Sequence, residues 1–213
     1  MVGAYEDVLQ EFVVAIDEPF VFLDIGSNQG LYGIMAAEHP HCVRSICIEP
    51  NPATFSYLTR NASLSESNGQ IVLICAAVAT GASHFAELAV STSHSGASSL
   101  TSLTKATSSD TAEMVLLLDA SALLELLEPF QDIPVYAKID VEGAELIVLE
   151  SLDRSGLITR SRAIVVEVSE KVGGPDQSRQ ILSFFESRDW DLAARSGSAS
   201  HFDAVFENRS LAI

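Results

Sequence analysis

The sequence predicts one α/β domain built on a mainly parallel, Rossmann-like sheet that is doubly wound, with helices on both faces and an antiparallel hairpin at its C-terminal edge. Short apolar runs alternate with helix-like segments along most of the chain, a pattern typical of parallel strands joined by crossover helices. Two early runs end in acidic residues, and the first of them leads into a glycine-containing turn. The last two runs are separated by too few residues for a crossover, so they are expected to pair antiparallel.

Length and composition fit a single domain over residues 1–213, with a short segment, 1–19, before the first strand. The mean hydropathy is +0.25. No apolar run reaches the roughly 18 residues that span a bilayer, and the N-terminus lacks a signal-peptide pattern. We therefore expect a cytoplasmic protein without a membrane partner. The formal net charge of −17 makes the protein acidic and opposes binding to nucleic acid, which needs cationic surface.

The predicted elements follow in the order of the chain. Short runs rich in β-branched and other apolar residues predict strands at about 20–25, 44–49, 71–76, 115–118, 135–139, 163–168, 190–194 and 202–206. Helical patterns occupy about 29–38, 52–65, 120–127, 142–153 and 176–187. The second helix begins with the pair Asn51-Pro52, a capping residue followed by proline in the first turn. The three cysteines lie in or beside apolar runs and are expected to be free thiols.

Two segments are less regular. Residues 78–90 alternate apolar and polar positions around Gly81, which predicts a hairpin rather than a helix. Residues 91–112 are dominated by Ser, Thr, Ala and Gly without apolar periodicity. This second segment is expected to be a loop. Long loops in compact domains often act as active-site lids, and a solvated surface loop is the alternative.

The acids and glycines at the ends of the first two strands form the most informative pattern. Asp24, Gly26 and Gly30 follow the first strand, and Glu49 ends the second. The glycines allow a sharp turn and the close approach of a ligand, and the second acid can accept hydrogen bonds from both hydroxyls of a ribose. The spacing therefore indicates a nucleotide-type cofactor site.

The same residues indicate which cofactor is bound. A dinucleotide fingerprint has three glycines, and Asn28 stands where the middle one is required. A carboxylate at Asp24 would repel a diphosphate, but it suits a ligand with an ammonium group, such as the methionine part of S-adenosylmethionine. The pattern favours an enzyme that uses S-adenosylmethionine over a nicotinamide-dependent oxidoreductase.

A second charged cluster lies at residues 138–145, KIDVEGAE, where a buried strand meets a helix. Buried charges must be paired or functional, because desolvating them alone is costly. Glu142 and Glu145 are expected in the first helical turn, where carboxylates interact favourably with the helix dipole. Asp140 ends a central strand on the same rim as the two earlier acids, and ligands of open α/β sheets bind at that rim.

With these motifs, the chain resembles the FkbM-like methyltransferases, class I S-adenosylmethionine-dependent enzymes that mostly methylate hydroxyl oxygens. The resemblance covers about residues 20–170 and rests on FLDIGSNQGLYG, IEPNPATFSYLTRN and KIDVEGAELIVLESL followed by IVVEVSE. It implies the class I methyltransferase fold, a seven-stranded sheet with a reversed hairpin at its edge. The chain departs from the family in Ser27, where alanine is usual, and in the short segment before the first strand, which in many relatives is longer and helps to cover the substrate.

The resemblance also implies roles for individual residues. Asp140 and Glu142 would face the acceptor, and Asp140 is the first candidate for a base or positioning residue, with Glu142 second. The residues expected to bind the cofactor are Asp24, Gly26, Asn28 and Gly30 on the methionine side, Glu49 at the ribose, and Pro50, Asn51 and Ala77 at the adenine. No metal is expected, with a Mg²⁺ shared by Asp140 and Glu167 as the alternative, since two carboxylates do not complete a magnesium site.

The main hypothesis is therefore a methyltransferase that methylates a hydroxyl of a sugar or another small molecule. A cofactor-binding but inactive partner or regulatory module is the first alternative, suggested by the short N-terminal segment. A nicotinamide-dependent oxidoreductase is the second. The sequence predicts neither the identity of the acceptor nor the oligomeric state.

Overall fold

The structure is a computed structural model that describes residues 7–80, 84–90, 99–100 and 111–211. These residues form two sheets and seven α-helices. The strands are β1 (Phe20–Ile25), β2 (Cys42–Ile48), β3 (Ile71–Ile74), β4 (Ala77–Val78), β5 (Phe85–Val90), β6 (Ser99–Leu100), β7 (Thr111–Leu118), β8 (Val135–Ile139), β9 (Ser161–Ser169), β10 (Trp190–Gly197) and β11 (His201–Asn208). The helices are α1 (Asp7–Val14), α2 (Leu31–Ala37), α3 (Pro52–Leu64), α4 (Ala120–Leu127), α5 (Glu145–Ser155), α6 (Leu157–Arg160) and α7 (Gly174–Glu186).

The main sheet has seven strands in the order β10-β11-β9-β8-β1-β2-β3. The five adjacent strands β9, β8, β1, β2 and β3 run parallel to one another. β11 runs antiparallel to both β9 and β10, so it is reversed between two strands of the common direction. This confirms the predicted fold, a mainly parallel seven-stranded sheet with an antiparallel C-terminal pair.

The first strand shows why both faces of this sheet must be covered. All six residues of β1 are buried, and successive side chains of a strand point to opposite faces. Phe22 packs in a cluster that contains Ala36 of α2. Leu23 packs in a separate cluster that contains Leu149 of α5. An apolar strand without alternation therefore produces two cores, one on each face.

The helix boundaries follow local signals. The Asn51 side chain accepts hydrogen bonds from the N–H groups of Ala53 and Thr54, at 3.0 and 3.4 Å, so α3 begins at Pro52 as its cap predicts. The prediction that the fourth helix begins at residue 142 is wrong, because α5 begins at Glu145. Glu142 and Gly143 have φ values of 51° and 99°, which is left-handed backbone that an α-helix excludes.

The predicted hairpin within residues 78–90 is also wrong. β4 and β5 belong to a second sheet of order β4-β7-β5-β6, and β7 lies between them. β7 is parallel to β4 and antiparallel to β5, where Phe85 pairs with Leu116. Apolar alternation indicates a strand but does not specify its partner. Gly81, expected at the turn, lies outside the described residues.

The predicted loop over residues 91–112 is partly wrong as well. Ser99–Leu100 forms β6, which pairs with β5, and β7 already begins at Thr111. Residues 91–98 and 101–110 lie outside the described part of the chain, so the lid over the cofactor stays a prediction.

The cysteines are free thiols, as predicted. Cys42 and Cys47 are buried, and burial raises the pKa of the two thiols to about 11 and about 12. Both are therefore protonated and unreactive at neutral pH. Among the described helices, none combines the length and apolar character that a membrane crossing requires.

Truncation of the central strand tests the packing. We expect Leu23→Ala to lower the free energy of unfolding by about 2 to 5 kcal/mol, because the fully buried side chain leaves a cavity between strand and helix. The matched control is Leu192→Ala on β10, since Leu192 is 49% exposed. Urea unfolding of both variants measures the difference, and equal losses in the two would contradict the described core.

Candidate active site

The candidate residues gather at the carboxyl ends of the central parallel strands. Asp24 lies in β1, Glu49 follows β2, Asp140 follows β8 and Glu167 lies near the end of β9. These strands are neighbours and run in the same direction, so their carboxyl ends form one rim. The sequence predicted that the first three acids share this rim, and the structure places them there.

The segment between β1 and α2 is a tight loop that crosses the end of β2. The N–H groups of Gly26 and Ser27 both donate to the Ile48 carbonyl oxygen, at 2.9 and 3.0 Å. Gly26, Asn28 and Gly30 all have left-handed φ values, of 80°, 50° and 92°. This backbone brings Asn28 over Glu49, whose Oε2 accepts a hydrogen bond from the Asn28 N–H at 3.0 Å.

Gly26 is required for a reason that sequence reasoning missed. A Cβ atom at this position would lie 1.7 Å from the carbonyl oxygen of Asp140. The space that glycine provides is therefore filled by the end of β8, and the loop packs directly against the backbone of Asp140. Gly26 thus allows a close approach between two backbone segments of the protein itself.

Glu49 is a buried acid held by backbone donors. Its Oε1 accepts from the Asn51 N–H at 2.9 Å, and its Oε2 accepts from Asn28. Burial raises the pKa of Glu49, against the effect of these two hydrogen bonds. A carboxylate has about four lone-pair positions, so two backbone donors leave acceptor capacity on both oxygens.

The segment after β3 adjoins this acid. The Glu49 N–H donates to the Ile74 carbonyl at 3.1 Å, and the Cys75 thiol lies 3.9 Å from the Pro50 carbonyl oxygen. Ala77 lies two residues after Cys75 in the chain. Pro50 and Asn51 directly follow Glu49, and the Asn51 side chain caps α3 and is 2% exposed. Ala77 packs in a cluster with Leu88, Val115 and Ala144.

Asp24 is fully buried, with an exposed fraction of 0%. Its Oδ2 accepts from the Gly33 N–H at 3.0 Å, and its Oδ1 lies 3.7 Å from the ammonium nitrogen of Lys138. Burial raises the pKa of Asp24, and the Lys138 charge opposes that rise. The ammonium group that this carboxylate faces is thus the protein's own.

Lys138 is the residue of the KIDVEGAE cluster that sequence reasoning left without a role. Its side chain is 6% exposed, and its ammonium donates to Asp140 Oδ2 at 3.0 Å and to the Gly26 carbonyl at 3.4 Å. It also lies 5.5 Å from the centre of the Tyr32 ring. The sequence signal that could have identified Lys138 was a lysine inside an otherwise apolar strand.

The prediction that one of the two glutamates, Glu142 or Glu145, has a structural role is confirmed for Glu145. It lies in the first turn of α5 and is 4% exposed. Its Oε1 accepts from the N–H groups of Gly143 and Val141, at 2.9 and 3.4 Å. Gln177 of α7 donates to Glu145 Oε2 and to the Gly143 carbonyl. These contacts fix the left-handed turn that presents Glu142.

Three half-buried carboxyl groups meet at the ends of β8 and β9. Asp140, Glu142 and Glu167 each offer an oxygen, and these atoms lie within 4.8 Å of one another. His201 Nε2 lies 3.5 Å from Glu167 Oε1. The spacing would also admit a small cation, so the magnesium alternative stays an untested prediction.

The surroundings shift the pKa values of the three carboxyl groups differently. Burial, together with the charge of the neighbouring Asp140 and a hydrogen bond to it, raises the pKa of Glu167 to about 9. Burial, followed by Asp140 and Glu145, raises the pKa of Glu142 to about 7. Burial opposes ionisation of Asp140 too, but Lys138 and a hydrogen bond from Glu167 lower its pKa below the ordinary value. The pKa shifts of Asp140 and Glu167 thus have opposite directions, which favours the proton on Glu167 over the proton on Asp140.

The order and direction of the strands in the main sheet are those of the class I methyltransferase fold. The chain belongs to the FkbM methyltransferase family, since the model of the methyltransferase FkbM domain matches residues 24–192. It is an S-adenosylmethionine-dependent methyltransferase, as the sequence resemblance implied. Family membership disfavours the nicotinamide-dependent alternative.

Solved structures share this fold at low identity. The chain matches a putative tRNA (m1A22) methyltransferase from Streptococcus pneumoniae in complex with S-adenosyl-L-methionine, with a TM-score of 0.57, 13% identity and coverage of 100% of this chain and 76% of that one. TrmK from M. capricolum in complex with S-adenosyl-homocysteine matches with a TM-score of 0.56, 12% identity and coverage of 94% and 67%. An rRNA methylase from Streptococcus thermophilus matches with a TM-score of 0.56, 10% identity and coverage of 98% of both chains. Among curated proteins, no sequence matches the chain.

The proton on Glu167 predicts how stability depends on pH. The unfolded chain releases this proton near the ordinary glutamate value, whereas the folded chain keeps it up to about pH 9. Glu167 therefore makes the free energy of unfolding fall as the pH rises between these values. We expect Glu167→Gln to lose this dependence and to gain about 1 to 3 kcal/mol relative to wild type between about pH 5 and pH 9, a range reduced for solvent screening.

Urea unfolding across this pH range measures the effect. Glu186→Gln is the matched control, because Glu186 is an exposed glutamate on α7. Parallel pH profiles for wild type and Glu167→Gln would show that Glu167 is not protonated in the folded state.

Proposed function

We propose that the enzyme methylates a hydroxyl oxygen of a sugar or another small hydroxylated molecule. The observation that carries this proposal is the cluster of carboxyl groups at the rim, those of Asp140, Glu142 and Glu167, whose oxygens lie within 4.8 Å of one another. Despite burial, Lys138 and Glu167 lower the pKa of Asp140, which favours its ionised form. A hydroxyl is a poor nucleophile until its proton leaves, so an ionised carboxylate at the acceptor position is the required group.

The residues of the cofactor side fit S-adenosylmethionine. Glu49 retains acceptor capacity on both carboxylate oxygens, which suits the two hydroxyls of a ribose. The Gly26–Gly30 loop would hold the amino-acid end, and the residues from Cys75 to Ala77 would border the adenine beside Pro50. Asp24 would act through the loop, because its own carboxylate has no exposed surface.

The bound cofactor supplies an activated methyl group on a sulfonium. The chain's own residues then align the acceptor, which is the largest contribution to an in-line displacement. Asp140 accepts the proton of the acceptor hydroxyl at its carboxylate. Glu142, with a pKa of about 7, is placed to position the acceptor. Glu167 keeps Asp140 in its ionised form by donating a hydrogen bond.

Charge supports a small acceptor over a nucleic acid. The net charge is −17, and the acceptor side of the rim carries three carboxyl groups. A phosphate backbone would be repelled by both. Two proteins of the same fold are a putative tRNA methyltransferase and an rRNA methylase, but at 13% and 10% sequence identity the similarity concerns the fold alone.

Calorimetric titration tests the cofactor site. We expect S-adenosylmethionine and S-adenosylhomocysteine to bind saturably and NAD not to bind. Glu49→Ala should weaken both affinities by about 10- to 150-fold, because hydrogen bonds to a charged group contribute about 1.5 to 3 kcal/mol. Glu186→Ala, at an exposed position, is the control. Wild-type affinity in Glu49→Ala would remove Glu49 from the site.

Methyl transfer to a panel of sugars and other hydroxylated compounds tests the acceptor side. We expect Asp140→Asn to bind S-adenosylhomocysteine normally and to lower turnover by about 10²- to 10⁴-fold, the usual contribution of a general base. Unchanged turnover in Asp140→Asn would exclude Asp140 as the base. Cofactor binding without turnover of any hydroxylated compound would instead favour the inactive partner module.

A further inference from the structure

Lys138 is a charged residue in the middle of a fully buried strand. All five residues of β8 are buried, and Lys138 is 5% exposed. Its register partners are Asp24 on β1 and Val165 on β9. An ammonium group in such a place costs several kcal/mol unless its charge is compensated, so its partners explain its presence.

The contacts of this ammonium divide between the two halves of the site. On the cofactor side it lies 3.7 Å from Asp24 Oδ1 and donates to the Gly26 carbonyl at 3.4 Å. On the acceptor side it donates to Asp140 Oδ2 at 3.0 Å. Asp24 in turn accepts from Gly33 in α2, directly after the glycine loop. One nitrogen atom therefore joins the loop, the helix behind it and the acceptor-side acid.

We propose that Lys138 is a positioning residue for methyl transfer, whose ammonium holds the Gly26–Gly30 loop and the Asp140 carboxylate in one fixed arrangement. The inference rests on the proposed function, because it assumes that the loop carries the methyl donor and that Asp140 faces the acceptor. In-line displacement depends on the alignment of donor and acceptor, and a misplacement of about 1 Å can cost about 10²-fold in rate.

The ammonium also sets the electrostatics of both acids. Asp24 and Asp140 repel each other, as the effect of Asp140 on the pKa of Asp24 shows. Lys138 lies between them and lowers the pKa of each. At the acceptor side, the structure thus supplies a fixed positive charge of its own to keep Asp140 ionised.

A purely stabilising role is the competing explanation. In that case Lys138 would serve only to neutralise the buried Asp24, and removing both charges would restore the site. The double variant Asp24→Asn/Lys138→Met separates the two explanations, because the introduced amide oxygen can still accept from the Gly33 N–H while the ion pair is gone. It also keeps the test informative if Lys138→Met alone fails to fold.

The experiment compares wild type, Lys138→Met, the double variant and Lys171→Met, whose lysine is exposed. Calorimetry measures the affinity for S-adenosylhomocysteine, carboxyl ¹³C NMR measures the titration of Asp140, and urea unfolding measures stability. We expect the double variant to recover stability relative to Lys138→Met. In both variants the affinity should stay about tenfold or more below wild type, and Asp140 should titrate at higher pH than in wild type. Lys171→Met should behave as wild type.

Wild-type affinity and wild-type Asp140 titration in the double variant would overturn the inference while leaving the proposed function intact. Failure of the wild-type protein itself to bind S-adenosylhomocysteine would overturn the proposed function and the inference with it.

Discussion

The buried ion pair between Asp24 and Lys138 is the interaction on which the rim of the sheet depends. The two residues are register partners on the adjacent central strands β1 and β8, and both are withdrawn from solvent. Neither charge is tolerable alone in that environment. The Lys138 ammonium is compensated by the Asp24 and Asp140 carboxylates and by the Gly26 carbonyl, and these contacts connect the glycine loop to the end of β8.

The parts of the fold that follow from local rules could be predicted from the sequence. The cap pair Asn51-Pro52 determines the start of α3 through hydrogen bonds within three residues. The apolar runs identify the strands of the main sheet, because a strand covered on both faces needs apolar residues throughout. The pairing of Phe85 with Leu116 joins residues far apart in the chain, and no local pattern specifies such a partner. The second sheet was missed for that reason.

The candidate site likewise combines features that the sequence predicts with features that depend on tertiary contacts. The rim positions of Asp24, Glu49 and Asp140 follow from the direction of parallel strands, so the sequence was sufficient to predict them. The left-handed backbone of Glu142 depends on Glu145 and on Gln177 from another helix. The partners of Lys138 depend on β8 lying beside β1. Both depend on tertiary contacts, which no local sequence pattern specifies.

The contact between Gly26 and the Asp140 carbonyl has a consequence for how enzymes of this kind can diverge. Any side chain at position 26 would occupy the space of that carbonyl oxygen, so the loop and the end of β8 cannot drift separately. Position 26 and the end of β8 are therefore expected to vary little when the substrate changes. Variation is expected instead in the segments that approach the rim from outside, such as α7 and the turn between β10 and β11. The loop around Gly26 would then stay constant in related proteins while these outer segments change.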